Sequence, residues 1–147
     1  MSKSMTSSFL PDINVWIALH YEAHRHHAEA VAWFRSLDDS VSLVFCRHTQ
    51  TGMFRLLTTG AVMDGAPLTQ KHCWGIYAQW MDGGRAFLHA EPSGLDAALQ
   101  RLTSSDAPSP KTWADAYLAA FAENAHLTLV TFDRALAAKA NGAVLLS

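Results

Sequence analysis

Residues 127–136 read Leu-Thr-Leu-Val-Thr-Phe-Asp-Arg-Ala-Leu. The run from Leu127 to Phe132 is apolar and β-branched, which predicts a short buried strand, and Asp133 then stands where a helix of six or seven residues begins. The same grammar recurs along the chain. Further strands are expected near Ser7 to Leu10, Val41 to Phe45, Ala86 to Leu88 and Val144 to Leu146. Between them lie stretches of helical period, such as Ala28, Val31, Ala32 and Phe34, or Leu95, Ala98, Leu99 and Leu102. Strands that alternate with helices imply parallel neighbours, because parallel pairing needs a crossover and helices are the usual one. The expected class is α/β, with a central parallel sheet of about five strands and helices on both faces.

Punctuation agrees with one domain spanning residues 1–147. Ser104 to Pro110 reads as a loop feeding a helix, Gly60 to Pro67 as a second loop, and Gly83-Gly84 as a turn before the third strand. Half of the 147 residues are hydrophobic and 16% are charged, an ordinary globular balance somewhat short of surface charge. Eleven basic and 13 acidic side chains leave a formal charge of −2, so no global positive field draws in nucleic acid, and any such surface must be local. Cys46 and Cys73 form no disulfide framework, zinc ribbon or redox pair, and Cys46 reads as core filler. Met1 to Ser8 is polar, with no signal-peptide or membrane pattern, which points to the cytoplasm.

Three aspartates hold equivalent places. Asp12 follows the first strand and opens Asp-Ile-Asn-Val-Trp-Ile-Ala-Leu, Asp115 lies three residues after Thr112 in Thr-Trp-Ala-Asp-Ala-Tyr-Leu, and Asp133 follows the strand already described. Singly, each reads as a helix cap or a first-turn acid that complements the helix dipole. Jointly they suggest more, because ligands of open parallel sheets bind beyond the carboxyl ends of the strands, where strand order reverses. Carboxylates gathered there repel one another unless a cation neutralises them, and hard oxygen donors favour magnesium or manganese.

With these residues in view, the chain resembles the PIN-domain family, in its VapC toxin group. The resemblance rests on Leu-Pro-Asp-Ile-Asn-Val-Trp-Ile-Ala-Leu near the start, on Arg-His-Thr-Gln-Thr-Gly-Met-Phe-Arg-Leu-Leu in the middle, and on Ala-Asp-Ala-Tyr-Leu-Ala-Ala-Phe-Ala and Leu-Val-Thr-Phe-Asp-Arg towards the end. It covers nearly the whole chain. It implies a flavodoxin-like three-layer sandwich, magnesium-dependent endoribonuclease activity, a homodimer and a cognate antitoxin. Asp12, Asp115 and Asp133 are then the metal ligands. Gln50 falls where the family places a glutamate, so it keeps an acceptor for a water-mediated fourth contact but loses the charge.

Such a site would polarise a phosphate oxygen and activate water without a serine or cysteine nucleophile. Arg47, Arg55, Lys111 and Arg134 flank the motifs as phosphate contacts for RNA, though each also reads as a solvated charge. Asn14 is a candidate to orient Asp12, or else to bond its own backbone, and Thr131 is read chiefly as a strand residue. Trp113 lies on the helical stripe of Tyr117, Ala120 and Phe121, which favours packing, in the core or at a dimer contact, over base stacking. His20, His24, His26 and His27 cluster near Glu22. The spacing of His20 and His24 suits zinc or nickel on a helix, but nothing completes the set, and a solvated helix face is preferred. Two rivals remain: a PIN-like module that binds RNA or protein without cutting, favoured by Gln50, and a phosphoryl-accepting domain, which lacks its adjacent acidic pair and late lysine.

Overall fold

The computed structural model describes residues 8–147. Five strands, β1 (Ser8–Pro11), β2 (Ser42–Phe45), β3 (Ala86–Leu88), β4 (Thr128–Thr131) and β5 (Val144–Leu145), form one sheet in the order β3-β2-β1-β4-β5. Every neighbouring pair is parallel. Each expected strand is present with ends shifted by at most a residue or two, and Ser7, the expected start of the first, lies outside the described residues.

Seven helices occur among the described residues: α1 (Ile13–His20), α2 (His27–Arg35), α3 (Arg47–Leu57), α4 (Gln70–Asp82), α5 (Leu95–Leu102), α6 (Thr112–Ala125) and α7 (Arg134–Lys139). Alternation along the strands decides which face each helix covers. Leu43 and Phe45 point to one side with Trp16, Ile17, Met53, Leu57 and Cys73. Leu10, Val44 and Leu129 point to the other, against Leu118, Phe121 and Leu136. The result is a three-layer α/β sandwich with two cores, and Cys46 is fully buried in the second. On the first face the Trp16 indole lies flat on Phe45, with centroids 3.9 Å apart, which anchors α1 to the sheet.

Close contact between α1 and α3 depends on Gly52. A Cβ there would meet Ile13 Cδ1 at 2.3 Å and Cγ1 at 2.8 Å. Gly84, at φ 73°, completes the turn expected before β3.

Two expectations about this framework are corrected. The histidines do not share a helical face: α1 ends at His20, so His24 lies in the connection to α2. His20 is a part-buried acceptor for the Trp80 indole N–H, at 2.7 Å. Trp113 does not join the core with Phe121, which removes the core half of its packing reading and leaves dimer contact. Its side chain is 56% exposed, while Ala120 and Phe121 are buried, because Trp113 lies in the first turn of α6 at the rim of the layer.

Candidate active site

Strand order reverses between β1 and β4, which lie side by side although most of the chain separates them. Asp12 and Asp133 leave these two strands at their carboxyl ends. Pro11 has no N–H to donate, but the Asp12 N–H bonds the Val130 carbonyl at 2.8 Å, so the ladder runs up to the acid itself. Asp12 Oδ1 accepts the Ile13 N–H at 2.7 Å and caps α1, and its Oδ2 accepts the Thr131 hydroxyl at 3.0 Å.

Thr131 does more than fill a strand position. Fully buried, it donates to Asp12 and accepts the Asp133 N–H at 3.0 Å, so one hydroxyl couples the two acid positions. Asp133 in turn caps α7, with Oδ1 accepting from Ala135 N at 2.8 Å and Leu136 N at 3.3 Å. The cap readings of Asp12 and Asp133 are therefore correct, yet each carboxylate retains lone pairs beyond its cap.

The cap reading fails for Asp115. Helix α6 has Lys111 at its cap with no side-chain bond, and Asp115 makes no hydrogen bond among the described residues. It does stand in the first turn of α6, where an acid complements the helix dipole, so the dipole reading holds while the carboxylate oxygens stay free of a cap bond.

Electrostatics tie the three acids together. Burial pushes the Asp12 carboxyl above its ordinary range, the bonds from Thr131 and Ile13 hold it down, and the charges of Asp115 and Asp133 push it up again. Burial also raises Asp115, as does repulsion from Asp133, while Lys139 opposes the shift. Lys139 is a cation that the sequence reading passed over. His48, three residues beyond β2 at the same end of the sheet, was passed over too. Burial lowers its pKa, and the Asp12 charge partly restores it. Its place just after a strand end was the available signal.

The remaining candidates are placed as follows. Gln50 is buried on α3, where its Oε1 accepts from Arg47 Nη1 at 2.7 Å. Asn14 is exposed and makes no side-chain bond to Asp12 among the described residues, so the orienting role falls to Thr131 instead. Arg47, Arg55, Lys111 and Arg134 are all exposed. Arg55 lines a cleft between α3 and α4 with Phe54 and Trp74.

Among the described residues no three His, Cys, Asp or Glu side chains are drawn together tightly enough to encage a metal ion unaided. Magnesium does not require such a cage. It usually retains several waters and takes one or two carboxylates plus substrate phosphates. Asp12 and Asp133, whose carboxylates keep lone pairs beyond their caps, are oxygen donors of the chemistry such an ion takes. The charge of Asp115 is felt at Asp12, and that of Asp133 at Asp115.

Fold and site together define a class: the PIN-domain model matches residues 9–142, and the chain belongs to the PIN domain family. Among its relatives, Ribonuclease VapC41 of Mycobacterium tuberculosis is 41% identical over 130 residues, covering 86% of this chain and 89% of that protein. Ribonuclease VapC38 of the same organism is 27% identical over 124 residues, with 84% of each chain covered. The crystal structure of M. tuberculosis VapC20, titled as a sarcin-ricin loop cleaving toxin, superposes with a TM-score of 0.63 at 12% identity, covering 88% of this chain and 93% of that one. At that identity the likeness concerns the fold. No helix among the described residues is long and apolar enough to cross a membrane.

Proposed function

We propose that this protein is a magnesium-dependent endoribonuclease, the toxin of a toxin-antitoxin pair, working in the cytoplasm as a homodimer of single-domain chains. The observation that carries the proposal is the coupling of Asp12 and Asp133 through one buried hydroxyl, with Asp115 making no hydrogen bond among the described residues and lying within their field. Kinship with proteins named as ribonucleases supplies the substrate class. The cognate antitoxin and the dimer rest on the resemblance to the VapC group.

Asp12, Asp115 and Asp133 would hold the ion, with manganese as a substitute and Gln50 touching it through water. A bound divalent ion supplies polarisation of the phosphate and a more acidic water. The chain supplies the rest. Thr131 fixes the direction of Asp12 Oδ2, and Ile13 N–H fixes Oδ1, so the acid meets its ligand already oriented. Arg47, Arg55, Lys111 and Arg134 offer the local cations that a chain of net charge −2 needs to hold RNA phosphates.

The test is cleavage of RNA by purified protein with and without magnesium or manganese. Asp12→Asn and Asp115→Asn are expected to lower the rate by about a hundredfold or more, the scale on which losing one transition-state contact acts. Both variants should keep the wild-type circular dichroism spectrum, because asparagine at position 12 can still cap α1 and Asp115 makes no capping bond to lose. Equal cleavage by all three proteins would refute the proposal. A second reading, RNA binding without cleavage, is favoured by the neutral Gln50 amide already engaged by Arg47. Wild-type affinity for RNA with no metal-dependent cutting would support that reading instead.

A further inference from the structure

Beside Asp133 lies an open cleft of about 290 Å³ lined by Asn14, His24, Arg25, His26, Phe132 and Asp133. Its walls come from the start of α1, the α1–α2 connection and the β4–α7 junction. The site described above uses only Asp133 from this set. We propose that the cleft is the seat of an unpaired nucleotide next to the scissile phosphate, with His26 and Phe132 as the base platform and Arg25 as the phosphate contact. This proposal rests on the nuclease reading for its substrate and adds the residues that would position that substrate.

The platform is built rather than incidental. The His26 ring lies on Phe132 with centroids 4.3 Å apart and planes 12° from parallel. Glu29 holds His26 Nδ1 at 3.2 Å, and the His26 backbone N–H donates to His24 Nδ1 at 3.0 Å. Next along the chain, His27 Nδ1 bonds the Ala18 carbonyl at 2.7 Å, pinning the connection back onto α1. A connection of this kind, carrying stacked flat rings yet leaving the His26 side chain 29% exposed, presents aromatic surface to solvent at little further ordering cost.

Unpaired bases stack on such rings irrespective of sequence, and Arg and Asn side chains take phosphate and sugar oxygens. Arg25 is exposed and makes no salt bridge among the described residues. Phe132 immediately precedes Asp133, so a base on the platform would place its phosphate beside the acids. An acidic peptide would meet the same Asp133 charge as a phosphate but offers no base to lie on the rings.

The experiment uses the full-length Asp115→Asn protein with magnesium and single-stranded RNA carrying 4-thiouridine at successive positions. After irradiation, crosslinked peptides are mapped by mass spectrometry. Crosslinks within Arg25 to His27 or at Phe132 are expected, and crosslinks confined to other segments, or none, would overturn the assignment. In parallel, His26→Ala in the otherwise wild-type chain should raise KM for RNA by roughly tenfold to a hundredfold, the range of one stacked base, and Arg25→Ala should raise it as well through its phosphate contact, with kcat changed far less in both. An abasic site at the crosslinking position should cost wild type the same factor and His26→Ala almost nothing. A merely structural role for His26 predicts equal losses on both RNAs and would also overturn it. If wild type cuts no RNA while the crosslinks fall in the cleft, the nuclease reading fails and the binding seat stands. If it cuts and the crosslinks fall elsewhere, the seat alone fails.

Discussion

Thr131 serves two masters with one hydroxyl, and its removal should therefore cost more than an ordinary strand substitution. Thr131→Val preserves shape but strips a donor from the buried Asp12 Oδ2 and an acceptor from the Asp133 N–H. A buried polar group left without its partner costs about 1–3 kcal/mol. The expected outcome is a fall of that size in urea denaturation, together with weaker metal-dependent cleavage. Thr131→Ser, which keeps the hydroxyl, should retain most of both, and a Ser variant as damaged as Val would show that the methyl group, not the bond, matters. At this scale the three aspartates were legible because each stands where a strand ends or a helix begins. The use of Thr131 was not, since a β-branched residue looks the same in a sequence whether or not its hydroxyl is engaged. Asn14 fulfils neither of its two readings, to orient Asp12 or to bond its own backbone: among the described residues its side chain makes no hydrogen bond, and it is exposed at the neighbouring cleft.

Elements meet here at two junctions with opposite demands. Between α1 and α3 the demand is for absence, because any Cβ at residue 52 runs into Ile13, the residue whose N–H is held by Asp12. Alanine favours a helix over glycine by about 1 kcal/mol, whereas overpacking costs typically about 1–3 kcal/mol. Gly52→Ala is therefore expected to lower stability in chemical denaturation despite its better propensity, and to slow cleavage by displacing Asp12. A rise in stability would show that Ile13 gives way freely. Between α1 and α4 the demand is for an acceptor. Burial pushes His20 down to about 4, and the neutral ring takes the Trp80 N–H. A lowered histidine adds stability that is complete above 6.5 and disappears as pH falls towards 4. The loss should reach at most about 3 kcal/mol by the pKa difference. His20→Gln, which accepts the same bond without titrating, should flatten the thermal-melt profile over that window, and an unchanged slope would assign it to other groups. This junction was hidden in the sequence. Four closely spaced histidines suggested one continuous helical face, and nothing local announced that α1 stops at His20 or that Trp80 would reach it. The strands, by contrast, were legible to within a residue or two because their apolar runs are short and bounded by turn residues, and the parallel sheet followed from the helices between them.

For the molecule as a whole, the gathered acids are a liability that a cation converts into an asset. Asp12 and Asp115 both titrate above the ordinary 3.8 in the folded protein, with burial the leading cause in each case. A raised carboxyl contributes stability in its protonated form. That contribution is complete below 3.8 and is lost as pH rises through the folded values. At neutral pH the metal-free chain therefore carries two strained carboxylates, and Asp115→Asn should melt higher than wild type in chelator. Magnesium relieves the same strain by binding only the folded form, worth about 2.7 kcal/mol at a hundred times its dissociation constant. The wild-type melting temperature is thus expected to rise on adding magnesium at pH 7, with a much smaller rise for Asp115→Asn. For wild type the rise should shrink towards pH 4, as protons compete for the same oxygens. The His20 shift comes from burial alone, so it cancels in the difference between the two melts, which leaves the acids and the His48 ring coupled to Asp12. Equal magnesium shifts in wild type and Asp115→Asn, or a shift that persists undiminished at pH 4, would mean that the ion binds elsewhere.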